Sequence, residues 1–286
     1  AGPCQGAIPG AIVAPMNAAM NEGLVYALGV IAALLPLGAA GLRRGGERDA
    51  LYGAALAAAV IVPAGFAAAR LAGAWQTDFS TTLIVTVAAG MIVFACAAIF
   101  TRQAFRLAPL IAPYMALLAL IAALWHHASR ALGPEAAASA WVIPHIAAAV
   151  VTYGLVTVAA VASLAALLQE RALKARRPTA LTRILPSIAD CEALVVRLLA
   201  IAEGILAAGI ATGMAALYRE RGTLLALDHK TILTVAAFAV LAGLLVGHYR
   251  AGVRGRQATR FVLVGYLLLT LGYPGVKFVT EVLLGR

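Results

Sequence analysis

Charge is scarce in this chain: Asp, Glu, Lys and Arg make up 12% of its 286 residues, about half the share of an ordinary soluble domain. With 63% of residues hydrophobic, there is too little polar side chain to cover a water-soluble fold. Cysteine is nearly absent. Cys4, Cys96 and Cys191 stand alone, with no Cys-x-x-Cys pair, which excludes dithiol exchange and a thiolate zinc site. Gly-x-Ser-x-Gly, P-loop and His-Glu-x-x-His motifs are missing, so nothing supports hydrolysis, phosphate binding or metalloprotease chemistry, and the chain reads as a non-enzyme. Alternating ten-residue segments are missing too, which excludes a transmembrane barrel. Aromatic residues are only 7%; Ala, Leu, Val and Gly dominate instead, the composition of helices packed closely in lipid.

What the sequence does have is long apolar runs. A helix crossing about 30 Å of hydrocarbon needs about 20 apolar residues, and such runs fall at 22–42, 50–73, 80–100, 107–125, 141–168, 194–217, 231–249 and 261–284. The fold class is therefore all-α, a polytopic transmembrane bundle of about eight spans formed by residues 20–286. Residues 1–19 lack the basic start and cleavage site of a signal peptide and are expected to be a disordered extension.

The formal net charge of +10 does not point to nucleic acid, because the basic residues cluster between apolar runs rather than along one soluble face. They sort by topology. Arg43, Arg44, Arg48, Arg102, Arg106, Arg171, Lys174, Arg176, Arg177, Arg183, Arg250, Arg254, Arg256 and Arg260 occupy alternate segments; Arg70, Arg130, Arg219, Arg221, Lys230, Lys277 and Arg286 occupy the others. Fourteen against seven puts both termini outside. Arg197 belongs to neither set and lies near the inner end of the sixth span. An interfacial helix is expected over 184–192 with Pro186 in its first turn, and a short helix lying on the membrane within 126–140.

That topology also sorts the histidines. His126, His127, His145 and His229 fall at the outer side, and His248 at the inner side. A neutral imidazole ligates haem iron, so the outer histidines form a candidate site. An interfacial histidine also sits well at headgroup level, and His145, with Thr152 and Tyr153 two turns on, is equally suited to an interhelical hydrogen bond. Glu203 is a carboxylate inside a span, a functional candidate that must be protonated or paired. Arg197 is not its partner: six residues along a helix place the two about 120° apart. Gly204, Gly209 and Gly213 mark a close helix contact.

Three stretches narrow the reading: Asp228-His229-Lys230-Thr231-Ile232-Leu233, Gly247-His248-Tyr249-Arg250 through Arg256, and Gly265-Tyr266 with Tyr273-Pro274-Gly275-Val276-Lys277-Phe278. Together with Trp141-Val142-Ile143-Pro144-His145, Tyr153-Gly154 and Gln169–Lys174, they resemble the cytochrome c assembly membrane family, in particular its short, tryptophan-poor branch. The resemblance covers roughly 80–284. It implies a bacterial plasma-membrane protein that binds or moves non-covalent b-type haem for cytochrome c assembly, with membrane lipid, haem and other assembly proteins as partners. It makes His145 an outer and His248 an inner axial ligand. Position along the chain, and not the resemblance, offers His127, at the end of the preceding span, or His229, with Asp228 to orient it, as the second outer ligand. Long members carry a tryptophan-rich outer loop, whereas 219–230 here contains no tryptophan, and no histidine follows the last span. Three readings remain: a haem-handling factor, a non-haem scaffold or regulatory subunit, and a small-molecule permease coupled through Glu203.

Overall fold

The computed structural model describes residues 10–42, 49–71, 79–101, 103–125, 141–223 and 228–279. Among these, helices and short connections make up the chain, with no strand: α1 (Gly10–Gly41), α2 (Ala50–Leu71), α3 (Phe79–Phe100), a 3-10 turn (Ala104–Leu107), α4 (Ala108–Leu124), α5 (Val142–Ala175), α6 (Ala180–Ile184), α7 (Ile188–Arg221), α8 (His229–Ala251) and α9 (Gly255–Thr270), followed by a π turn (Leu271–Gly275). The all-α, polytopic fold class holds. Seven of these helices are long and apolar enough to cross a membrane.

The expected eighth span is divided. Pro274 has no N–H, and its ring would collide with the carbonyl four residues back in a regular helix. The helix instead widens by one residue, so that the Val276 N–H reaches the Leu271 carbonyl, the five-residue spacing of a π turn. Gly275 makes room: a Cβ there would lie 3.0 Å from the Thr270 carbonyl oxygen.

Two expectations need correction. Residues 10–19, read as part of a disordered extension, are the first turns of α1, consistent with the high helix propensity of Ala11, Ala14, Ala18 and Ala19; residues 1–9 lie outside the described residues. The helix expected over 184–192 does not exist as a unit. A short helix forms earlier, at Ala180–Ile184, where Thr179 and Thr182 make a reciprocal capping box. Pro186 precedes Ser187, whose side chain caps α7 by accepting from the Asp190 N–H, so residues 188–192 begin the long helix. The expected surface helix within 126–140 falls outside the described residues.

Helix α5 is the centre of the bundle. Residues 152–163 are buried on every face, as a helix surrounded by others must be. It packs chiefly on α7, with α3 and α9 on its other sides. Gly154 allows the approach to α3: a Cβ there would stand 3.3 Å from the Ala89 backbone. The first four helices form one group, in which α1 lies along α2 and α4, while α8 is held mainly by α9. Trp125 and Trp141 close the ends of α4 and α5 at the predicted outer end, where tryptophan favours a membrane–water interface.

Candidate functional site

At the predicted outer end, α5, α7, the start of α8 and the π turn enclose a cavity of about 390 Å³. Helix α5 brings His145, Thr152 and Tyr153 to its wall, α8 brings Asp228, Lys230, Thr231 and Thr234, and the π turn brings Gly272 and Tyr273. The rest of the lining is apolar side chain and glycine. This is the mix of dry wall and few polar groups found in small-molecule sites, and its size falls within their usual range of about 300–1,000 Å³.

His145 is the best-positioned group in it. Its Nδ1 lies 2.8 Å from the Gly209 carbonyl oxygen. A carbonyl only accepts, so Nδ1 carries a proton, and in the neutral imidazole Nε2 keeps its lone pair for a ligand. The hydrogen bond fixes tautomer and ring orientation together, as such bonds do for metal-binding imidazoles. Two of the three glycines singled out in α7 make the contact possible. A Cβ at Gly213 would stand 2.8 Å from His145 Cε1, and one at Gly209 would stand 3.2 Å from Ala148 Cβ; a Cβ at Gly204 would meet nothing.

The polar stripe on α5 continues behind the histidine. Thr152 is 1% exposed and its Oγ1 has no hydrogen-bond partner among the described residues, although it belongs to the cavity wall. The Tyr153 hydroxyl shares hydrogen bonds with Tyr266 Oη at 3.2 Å and Thr270 Oγ1 at 3.1 Å. Tyr266 Oη also bonds Tyr114 Oη. This chain ties the cavity wall to α9 and α4. The tyrosines were not read as a group in the sequence; positions 114, 153 and 266 carry no common spacing, and only the packing of three helices joins them.

Asp228 and His229 do not pair as expected. Asp228 Oδ1 accepts the Thr231 N–H at 2.8 Å and so caps α8. That backbone hydrogen bond, with Lys230 and His229 nearby, holds its carboxyl below the usual carboxylate range. His229 is the exposed first residue of α8 and does not line the cavity, whereas Lys230 does. His126, His127 and Arg130 lie outside the described residues.

The other named histidine sits at the opposite end. His248 Nδ1 lies 3.1 Å from the Val253 carbonyl oxygen and, by the same argument, donates to it. This closes the α8–α9 turn, in which Gly252 and Gly255 adopt positive φ. The pocket that His248 lines holds only about 30 Å³. Val196 and Leu199 line that pocket, and Leu206 and Ile210 line the outer cavity. Glu203 lies on the same face of α7 between the two pairs, since three, four and seven residues recur on one helix face. Both its carboxylate oxygens are out of reach of solvent and have no hydrogen-bond partner among the described residues, and Arg197 is not bonded to it.

A family model described as cytochrome C assembly protein matches residues 50–284. The chain is 49% identical over 271 residues to a protein of Azospirillum brasilense described as an uncharacterized 28.8 kDa protein in the nifR3-like 5' region, covering 93% of this chain and all of that one. No solved structure matches the chain.

Proposed function

The chain belongs to the cytochrome c assembly protein family, and from that premise we propose that it holds haem non-covalently in the outer cavity, where His145 would ligate the iron. Membership gives it a role in cytochrome c maturation. The observation that carries the finer reading is the Nδ1 hydrogen bond to Gly209, which leaves Nε2 as the free donor atom beside a cavity of about 390 Å³. The donor set fits: neutral imidazole is a common axial ligand of haem iron. The missing Cβ of Gly213 leaves the ring its place, and the unpartnered Thr152 Oγ1 offers a further polar group.

Bound haem supplies an iron and two carboxylates. The protein's share is binding and orientation. His145 supplies nitrogen, the apolar faces of α5 and α7 exclude water, and Lys230 supplies a cation for a carboxylate. In this reading the cavity opens outward from the bacterial plasma membrane, because the basic residues of 171–183 stay inside. His248, in its smaller pocket, closes the α8–α9 turn and has no room for haem beside it. Catalysis is not part of the proposal; the protein delivers haem to other assembly proteins.

The test is an absorption spectrum of the protein purified from haem-replete cells. A Soret band that vanishes in His145→Ala but persists in His248→Ala supports the assignment. A wild-type protein without a Soret band favours the scaffold reading, for which the tryptophan-free segment before α8 speaks. Uptake of a small molecule into vesicles that Glu203→Gln abolishes favours the permease reading.

A further inference from the structure

Arg197 belongs to neither set of orienting basic residues and has no part in the haem cavity. It stands nine residues into α7, roughly 13 Å along the helix from its start, exposed on the side of the bundle. No hydrogen bond or ion pair to its side chain occurs among the described residues. A guanidinium at the flank of a membrane helix either snorkels to water or takes an anion. Here it borders a cavity of about 300 Å³ between the end of α3, the 3-10 turn and the first turns of α7.

Three features of that cavity define what it would hold. Among the described residues Arg197 is its cation and Asp190 its anion, seven residues apart on one face of α7, roughly 10 Å along the axis. Asp190 Oδ2 accepts the Ser187 hydroxyl at 2.6 Å, which leaves Oδ1 uncommitted, and Gln103 Oε1 has no hydrogen-bond partner among the described residues. The third feature is apolar: Phe100 ends a candidate membrane span and is 84% exposed, beside Leu194. A cation, two uncommitted oxygen acceptors and an open aromatic face complement a zwitterion that carries acyl chains.

We propose that this cavity binds a phospholipid with an ethanolamine headgroup. The phosphate pairs with Arg197, the ammonium donates to Asp190 Oδ1 and Gln103 Oε1, and the acyl chains lie on Phe100 and Leu194. Phosphatidylglycerol brings no cation for Asp190. Phosphatidylcholine has no N–H to give Gln103. Inorganic phosphate makes no use of Phe100. The site is independent of the haem reading, because it shares no residue with the outer cavity.

Native mass spectrometry of the detergent-purified protein tests this, with phosphatidylethanolamine, phosphatidylglycerol and phosphatidylcholine of identical acyl chains, and with inorganic phosphate alone. The expected result is a preference for the ethanolamine lipid of about tenfold, the worth of one charge-assisted hydrogen bond. Arg197→Gln weakens all three lipids, and Asp190→Asn removes the preference while leaving some binding of each. If Arg197→Gln does not give monodisperse protein, Arg197→Lys and the surface variant Asp190→Asn carry the test. Equal retention of the three lipids by the wild type, a preference untouched by Asp190→Asn, or competition by inorganic phosphate at the lipid's own concentration overturns the proposal.

Discussion

His145 and His248 make the same hydrogen bond in different surroundings. Each donates from Nδ1 to a backbone carbonyl, at 2.8 Å and 3.1 Å respectively, and each keeps Nε2 free. His145 reaches across to another helix, α7, and borders about 390 Å³ of space; His248 reaches five residues along its own chain and borders about 30 Å³. A locked tautomer therefore does not by itself make a ligand site. The space beside the imidazole decides, and at the outer end that space is bordered by the glycines of α7, the capped start of α8 and the π turn.

The largest effect should come from closing that space. Gly213→Leu pushes bulk onto the imidazole, and the haem Soret band should fall at least tenfold, about 1.4 kcal/mol or more of binding. Gly204→Leu, on the same helix where a Cβ meets nothing, should leave it unchanged. Equal losses in both variants would mean that helix packing, and not His145, is being read. At the other end, His248→Ala should leave haem in place and instead loosen the α8–α9 turn, seen as faster backbone hydrogen exchange over 247–256.

A smaller effect is expected behind the cavity. Tyr153→Phe removes the hydroxyl that joins Tyr266 and Thr270 and should cost about 0.5–1.5 kcal/mol of stability, read as a lower thermal midpoint with haem content retained. Loss of haem at unchanged midpoint would instead make Tyr153 a ligand contact. The smallest is at the cap. Asp228 contributes through its ionised form, and its carboxyl is lowered in the folded protein. Its contribution is therefore full above the ordinary aspartate value of about 3.9 and fades as pH falls through the lowered folded value. Asp228→Ala should cost about 1 kcal/mol at neutral pH and progressively less in acid, measured by hydrogen exchange at Thr231. A constant difference down to low pH would show that the cap does not act through charge.

The sequence read the bundle well because apolar length is a local property: each span of about 20 residues announces itself without its neighbours. It also read the stripe of His145, Thr152 and Tyr153, since one helix face recurs at fixed spacing, and the glycines at 209 and 213 that meet it. It misread the start of α1 because polar Asn17 and Asn21 interrupt the apolar run, although α1 holds both as helix. Pro186 reads locally as a first-turn proline, but the cap of α7 is Ser187. The pairing of Asp228 with His229 failed because a backbone N–H three residues on was the nearer donor. The Tyr114–Tyr266–Tyr153 chain and the π turn at Pro274 were out of reach, since both depend on which helices become neighbours.

The central claim, that the outer cavity holds haem through His145 Nε2, is tested most directly by chemical rescue. His145→Gly removes the ring and leaves a gap of its shape, and free imidazole added to the purified, haem-supplemented variant should restore the wild-type Soret band in a saturable way, whereas His248→Gly should neither lose the band nor respond to imidazole. A His145→Gly protein that keeps its wild-type haem spectrum without imidazole would contradict the account.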